Sequence, residues 1–179
     1  MKILGTVITD QLSWSENCQI LVKTVIARMQ LLCKVWGFGS SLEDMVHLWK
    51  VYCRSILEQS AVVWGAMLTE ENKEDLERTQ KSFAKLVLEE NYTTYLNSIN
   101  LLGLETLEAR RKNLTLKFAK DSLADGHFTD LIQKKQRYNG PNIRKKEYYN
   151  VTFAHTERYK NSPILTMQRL LNEDKLKNT

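Results

Sequence analysis

The sequence predicts a mainly α fold with a short N-terminal β-strand or hairpin and an irregular basic C-terminal arm. Three observations support this prediction. Apolar residues recur at helical spacing along most of the 179-residue chain. Gly and Pro number only 7 and 2, which argues against a turn-dense β fold. The helical period fades after Gln136, and Pro163 is well placed to begin a last helix.

Composition and hydropathy are those of a folded protein that neither crosses a membrane nor is secreted. Hydrophobic residues make up 42% of the sequence and charged residues 26%, as in ordinary folded domains. The longest nearly apolar stretch, Ala61 to Leu68, is far shorter than the roughly 20 residues that a membrane helix needs. Asp10 interrupts the region where a signal peptide would be apolar. We therefore expect an intracellular protein, cytoplasmic or nuclear, with no membrane partner.

The first elements of the chain have recognisable starting residues. Residues 2–9 are rich in β-branched side chains and predict a strand. The pattern Ser13-x-x-Glu16 is that of a capping box and predicts a helix that runs to about Trp36. The buried face of this helix is expected to carry Ile20, Ala27, Leu31 and Val35. In the same way, Ser41-x-x-Asp44 predicts the start of a second helix.

The following elements are predicted from similar signals. Residues 60–65 break the amphipathic pattern and predict a buried connector or a strand-like piece. Thr69 and the two glutamates after it predict a third helix, because acidic side chains favour the positive end of the helix dipole. Further helices are predicted over 92–99, from Glu105 or Thr106 to Asp125, and from Pro163 onward.

Charge is divided unevenly along the chain. Residues 1–109 hold 10 Lys and Arg against 14 Asp and Glu, whereas residues 110–179 hold 16 against 7. A basic second half is typical of a segment that contacts nucleic acid or docks on an acidic protein. It is equally typical of a solvated basic tail, so charge alone leaves these interpretations open.

Few residues suggest catalytic or metal chemistry. Cys18, Cys33 and Cys53 lack CxxC spacing, lie in helix-like segments and are interpreted as buried thiols. The three histidines are scattered, without metal-ligand spacing to one another or to a cysteine. Phosphate-binding and nucleophile-elbow motifs are absent from the sequence. We expect neither a cofactor nor enzymatic activity from this chain alone.

The fourth predicted helix carries a candidate binding face. At 100° per residue, Leu104, Leu107, Leu114 and Phe118 form an apolar stripe. A separate face carries the polar residues Arg110, Asn113, Lys117 and Lys120. The three cations of this face, Arg110, Lys117 and Lys120, are candidates for contacts with a phosphate backbone. The alternative is a solvated helix face.

Three residues are predicted to be structural. Arg111 lies at the edge of the apolar stripe, where a buried guanidinium needs a carboxylate partner or a ligand. We interpret it as part of a structural ion pair. Trp14 and Trp64 are the other two residues assigned a structural role.

The C-terminal arm combines cations with aromatic residues. Its candidate nucleic-acid-binding residues are Lys134, Lys135, Arg137, Arg144, Lys145, Lys146, Arg158 and Lys160. The interleaved aromatic residues are Tyr138, Tyr148, Tyr149, Phe153 and Tyr159. Cations contact phosphates while aromatic rings stack on unpaired bases, so the pattern is compatible with nucleic-acid binding. Alternatively, the rings hold the arm on the helices and the cations face water.

Several segments together resemble the C-terminal part of the reverse transcriptase of animal non-LTR (LINE-type) retrotransposons. The resemblance covers nearly the whole chain. It rests on blocks that occur in the family's order: Lys2-Ile-Leu-Gly5 with Val7-Ile-Thr-Asp10 and Leu12-Ser-Trp14, Tyr52-x-x-Ser55-Ile-Leu-Glu58 with Ala61-Val-Val-Trp64, Leu76-Glu-Arg-x-Gln80-Lys, Leu102-Gly-Leu-Glu-Thr-Leu-x-x-Arg110-Arg111, and His155-Thr-Glu-Arg-Tyr-Lys-Asn-Ser162.

The resemblance implies a helical thumb-like bundle that contacts RNA or an RNA–DNA hybrid. It divides the chain into a palm-to-thumb junction with two helices (1–67), a thumb and post-thumb bundle (68–133), and a basic aromatic arm with a terminal helix (134–179). Polymerisation in the family needs metal-binding palm aspartates that include an adjacent pair, and this sequence has no Asp-Asp pair. The expected function is therefore non-catalytic binding of template–primer nucleic acid.

Two alternative functions remain open at this point. One is a helical protein–protein interaction module whose basic half docks on an acidic protein. The other is a part of an active reverse transcriptase whose palm lies upstream or on another chain. Exposed apolar surface on the N-terminal strand would favour contact with such a palm, or self-association.

Overall fold

The computed structural model describes residues 1–11, 13–134 and 148–177, and these residues form helices that follow a small N-terminal hairpin. Strands β1 (Lys2–Ile3) and β2 (Thr6–Val7) pair antiparallel. Gly5 lies in the turn with a φ of +86°, a conformation that L side chains rarely adopt. The mainly α fold with a short N-terminal hairpin is therefore confirmed.

From α1 to α7 the helices connect through short turns and brief irregular helical pieces. In chain order they are α1 (Ser15–Gly37), α2 (Leu42–Leu48), a π-helical segment (Trp49–Arg54), α3 (Ser55–Glu58), α4 (Ala61–Trp64), a 3₁₀ turn (Gly65–Met67), α5 (Glu70–Leu88), a second 3₁₀ turn (Glu89–Asn91), α6 (Tyr95–Leu101), α7 (Leu107–Ala124), α8 (Glu157–Lys160) and α9 (Pro163–Lys177). The segment 60–65 contains a helical turn, so the strand-like interpretation of it is wrong.

Helix α1 starts without the predicted capping box. Trp14 occupies the N-cap position, and no side chain accepts a hydrogen bond there. The backbone of Ser13 is instead paired with Thr9, whose Oγ1 accepts from Ser13 N at 2.9 Å and donates to Ser13 O at 3.1 Å. Because this local turn fixes Ser13 before the helix begins, its hydroxyl does not reach the amide of Glu16.

The buried face of α1 is also different from the predicted one. Ile20 and Leu31 are 40% and 49% exposed, and Ala27 is exposed as well. The apolar residues that α1 buries are Cys18, Leu21, Val25 and Leu32. The helix carries apolar residues on more than one side, so its periodicity alone does not identify the side that packs against the protein.

The predicted starts of α2 and α5 are confirmed. Ser41 caps α2 and accepts a hydrogen bond on its side chain from Asp44 N at 3.1 Å. Thr69 caps α5 and accepts from Asn72 N at 3.3 Å. In each case a side-chain oxygen satisfies one of the backbone donors that the first turn of a helix leaves free.

This difference between Ser41 and Ser13 gives a matched pair of variants. We expect Ser41→Ala to lower the free energy of unfolding by about 1 kcal/mol, because it removes the cap of α2. Ser13→Ala should change it by less than about 0.5 kcal/mol, because the hydroxyl of Ser13 caps no helix. Urea unfolding followed by tryptophan fluorescence would measure both. Equal losses in the two variants would contradict this assignment of caps.

The described residues divide into two compact units. Unit 1 consists of residues Met1–Ala61 and Leu68–Arg111, and unit 2 consists of residues Val62–Met67 and Lys112–Thr179. This division differs from the three segments inferred from the sequence, whose boundaries stay a prediction. Helix α7 supplies its first residues to unit 1 and the others to unit 2.

Large aromatic and apolar side chains form the core of each unit. In unit 1, Trp49 stacks on Phe83 with ring centroids 4.7 Å apart, and both side chains are fully buried. Trp14 is also buried there, and Trp64 is buried in unit 2. The core cluster of unit 2 contains Ala119, Ile132, Tyr149, Met167 and Leu171.

Two of the three cysteines are buried, as predicted. Burial raises the pKa of both the Cys18 and the Cys53 thiol to about 11, so both are protonated at neutral pH. Cys33 is exposed, and the prediction that it is buried is wrong. It follows Leu32 by one residue, and therefore lies about 100° round α1 from the buried face.

Candidate nucleic-acid interface

Helix α7 carries the cations predicted to contact phosphates, and its start is held by two side chains. Thr106 Oγ1 accepts a hydrogen bond from Ala109 N at 3.1 Å. Glu77, on α5, accepts another from Glu108 N at 2.7 Å. Gly126 follows the helix with a φ of +77°, as expected for a glycine that ends a helix. The predicted limits of this helix are therefore confirmed.

The buried side of α7 differs from the predicted apolar stripe. Leu104 and Leu107 are buried, but Leu114 is half-buried and Phe118 is 39% exposed. The buried row consists of residues at four-residue spacing: Leu107, Arg111, Thr115 and Ala119. Two members of this row are polar, which explains why a pattern based on hydrophobicity does not reveal it. Arg111 lies within the buried row and not at its edge.

Arg110 is committed to a carboxylate of its own unit. Its Nε donates to Glu58 Oε1 at 2.8 Å, and its side chain is 34% exposed. Glu58 also pairs with Arg54, whose Nε lies 3.3 Å from the same oxygen. Hydrogen bonding to Glu58 raises the pKa of Arg110, whereas burial lowers the pKa of Arg54. Arg110 would contact a phosphate only if its ion pair with Glu58 were broken.

Arg111 is buried next to a partly buried polar network of unit 1. Its side chain is 5% exposed. Burial lowers the pKa of Arg111, whereas the negative charges of Glu77 and Glu108 raise it by a smaller amount. Tyr95 donates its phenolic hydrogen to Glu77, and Gln80 Nε2 donates to Tyr95 Oη at 3.0 Å. Burial and the bond to Glu77 raise the pKa of Tyr95, so it stays protonated. This environment fits a structural role for Arg111.

Three of the blocks that carry the family resemblance contact one another in unit 1. Glu58 of the second block pairs with Arg110 of the fourth. Glu77 of the third block accepts from the backbone of Glu108, and Gln80 Nε2 donates to Glu105 O at 2.8 Å, also in the fourth. These residues therefore support one another as a structural network. Sequence reasoning missed their pairing, because the partners lie 25 to 52 residues apart.

The other two cations of the α7 face belong to unit 2 and have different surroundings. Lys120 Nζ lies 2.8 Å from Asp174 Oδ2, and the Lys120 side chain is 48% exposed. Lys117 is exposed, and no described residue forms an ion pair with it. An ion pair that is partly open to solvent contributes little free energy, so Lys120 exchanges its partner at low cost.

Only some of the predicted cations of the arm lie within the described residues. Lys134 and Arg158 are exposed and form no ion pair with any residue in the described ranges. Lys160 is exposed and pairs with Glu157 at 3.0 Å. The remaining predicted residues lie outside the described ones: Lys135, Arg137, Arg144, Lys145 and Lys146.

The aromatic residues of the arm divide between core and surface. Tyr149 is 7% exposed and belongs to the core of unit 2, so it is unavailable for base stacking. Asn172 on α9 fixes it, because Oδ1 accepts from Tyr148 N at 2.9 Å and Tyr149 N at 2.8 Å, and Nδ2 donates to Tyr149 O at 3.1 Å. Phe153 and Tyr159 are exposed, and Tyr138 lies outside the described residues.

A metal-ligand set and a membrane-crossing helix are both absent from the residues that the structure describes. No group of three His, Cys, Asp or Glu side chains there is arranged to hold a metal ion. No described helix combines the length and the apolar character needed to cross a membrane.

Comparison of the chain with protein-family models, with curated proteins and with solved structures found no match. The resemblance to LINE-type reverse transcriptases therefore stays a prediction that rests on the quoted sequence blocks. Their mutual contacts in unit 1 give a structural reason for these residues to occur together, whatever the ancestry of the chain.

Proposed function

We propose that this chain is a non-catalytic nucleic-acid-binding module, derived from the C-terminal part of a LINE-type reverse transcriptase, that holds the backbone of an RNA–DNA hybrid on unit 2. The observation that carries the proposal is the separation of charge between the units. Unit 1 contains 12 Lys and Arg against 14 Asp and Glu, whereas unit 2 contains 14 against 7. An excess of cations in one unit attracts a polyanion, whose counterions are released on binding.

The arrangement of individual cations supports unit 2 in preference to unit 1. Lys117, Lys134 and Arg158 are exposed, and none is engaged by a carboxylate of the described residues. Arg110 and Arg111, by contrast, belong to the structural network of unit 1. The proposed interface therefore excludes these two arginines and retains Lys117, Lys120, Lys134, Arg158 and Lys160.

A salt titration tests the proposal. We expect the affinity for a fluorescently labelled RNA–DNA hybrid to fall steeply with salt, with a slope of several units in a double-logarithmic plot. Replacing Lys117 and Lys120 together by alanine should flatten the slope by about two units, because each cation neutralises about one phosphate. Fluorescence anisotropy measures both quantities.

A matched pair of lysines in unit 1 provides the control. Lys34→Ala combined with Lys81→Ala removes the same charge from exposed positions outside the proposed interface and should leave the slope unchanged. Equal effects of the two double variants would show that only net charge matters. Absence of binding at low salt would contradict the proposal and favour a module that docks on an acidic protein.

A further inference from the structure

Unit 2 contains a cleft between α8, the start of α9 and the loop after α7. Its volume is about 470 Å³, within the range of 300 to 1,000 Å³ that is usual for small-molecule sites. Most of the side chains that line it are polar, and they include Asp130, Asn150, Thr152, Tyr159, Ser162 and Gln168. The cleft is separate from the α7 face that carries Lys117 and Lys120.

Two residues of the lining, Gln168 and Asp130, carry side-chain oxygens that accept hydrogen bonds. Gln168 is 3% exposed, and its Nε2 donates to Leu131 O at 2.9 Å. Because that carbonyl only accepts, this contact fixes the orientation of the amide. The other amide atom, Oε1, is buried without a hydrogen-bond partner among the described residues. A buried acceptor of this kind carries a free-energy cost that an incoming N–H donor would relieve. The carboxylate of Asp130 lines the same cleft.

One aromatic ring lines the cleft, and three exposed cations adjoin its lining residues in the chain. The side chain of Tyr159 is 48% exposed, and exposed Arg158 and Lys160 adjoin it in the chain. Lys134 follows the lining residue Gln133 and is also exposed. Aromatic rings stack on unpaired bases, and neighbouring cations contact the phosphates that link those bases. The combination fits a nucleotide better than an uncharged metabolite.

We propose that this cleft binds one unpaired nucleotide whose base carries an exocyclic amino group. The ring of Tyr159 stacks on the base, and the amino group donates toward the acceptors of Gln168 and Asp130. Lys134, Arg158 and Lys160 contact the flanking phosphates. This inference rests on the proposed nucleic-acid binding by unit 2 and adds a specific site for single-stranded nucleic acid beside a duplex.

Hybrids that differ only in a short single-stranded overhang test the proposal. We expect a cytidine overhang to increase the affinity over the blunt hybrid by about 5- to 150-fold, as expected for one stacked base. An overhang of abasic sugar-phosphates, with equal charge, should give no comparable gain. A uridine overhang should gain less than cytidine, because uracil has a carbonyl group in place of the amino group of cytosine.

Variants of the exposed aromatic residues test which ring is used. Tyr159→Ala should abolish the cytidine gain, whereas Tyr159→Phe should keep it because the stacking surface remains. Phe153→Ala, which removes a 77% exposed ring that does not line the cleft, should leave the gain unchanged. Circular dichroism would verify that each variant is folded.

The outcomes separate this inference from the proposed function. Binding of the blunt hybrid without a cytidine gain would overturn the cleft assignment while nucleic-acid binding stands. The cleft is also overturned by an abasic overhang as effective as cytidine, by equal cytidine and uridine gains, or by a gain that survives Tyr159→Ala. Failure of every hybrid to bind at low salt would overturn both proposals. The cleft assignment is supported if the gain in affinity is larger for cytidine than for uridine or abasic overhangs, is lost in Tyr159→Ala and is kept in Tyr159→Phe.

Discussion

Arg111→Ala is expected to lower the free energy of unfolding by about 3–5 kcal/mol, the usual loss when one member of a buried charged group is removed. Arg111 is 5% exposed, and the carboxylates of Glu77 and Glu108 supply the largest opposing charges around it. Without the guanidinium, Glu77 remains beside Tyr95 and the start of α7 with its charge less well balanced. The variant also leaves a cavity in the buried row of α7.

Urea unfolding measures this loss, with tryptophan fluorescence as the signal. Arg78→Ala is the matched control, because the Arg78 side chain is 67% exposed and pairs with Asp75 at the surface. We expect the control to change the free energy by less than about 1 kcal/mol. A midpoint for Arg111→Ala equal to that of the parent would contradict the structural role of this arginine.

Asn172→Leu is the second substitution with a large expected effect, a loss of about 3–5 kcal/mol. The amide of Asn172 makes three hydrogen bonds to the backbone of Tyr148 and Tyr149, and both Asn172 and Tyr149 are buried. Leucine has the same number of side-chain heavy atoms and the same branching as asparagine, but it is apolar and satisfies none of these backbone groups. Each buried group left without a partner costs about 1–3 kcal/mol.

Thermal unfolding and amide hydrogen exchange measure the consequence for unit 2. We expect the amides of Tyr148 and Tyr149 to lose protection in the variant, because the acceptor of both is removed. Asn97→Leu is the control, since Asn97 is exposed on α6. If Asn172→Leu unfolds no earlier than this control, then the amide does not hold the arm on α9.

The success of sequence-based prediction depended on the range of the interactions involved. The caps at Ser41 and Thr69 and the glycine after α7 were predictable, because each involves residues within one turn of a helix. The capping box predicted at Ser13 does not form, and the cause is also local. The side chain of Thr9 is hydrogen-bonded to the Ser13 backbone. Such local competition is difficult to judge from residue types alone.

Long-range pairs were beyond the reach of the sequence. The face of α7 was recognised, yet its first cation, Arg110, finds a carboxylate 52 residues earlier in the chain. Composition and spacing give no information about which distant carboxylate will lie opposite a given arginine. The need of Arg111 for a charged environment was predictable from its position, whereas the identity of Glu77 as a neighbour was not.

The discontinuous composition of unit 2 has a consequence for how the chain is made. The ribosome synthesises every residue of unit 1 before it reaches Met167 and Leu171. These two are the core residues that α9 contributes to unit 2. Val62, in the first segment of unit 2, therefore emerges early, whereas the cluster against which it packs is complete only after Met167 and Leu171 are translated. A premature stop codon ahead of Pro163 would leave unit 1 complete in sequence but deprive unit 2 of part of its core. Such a truncated product would be a target for chaperones and proteases.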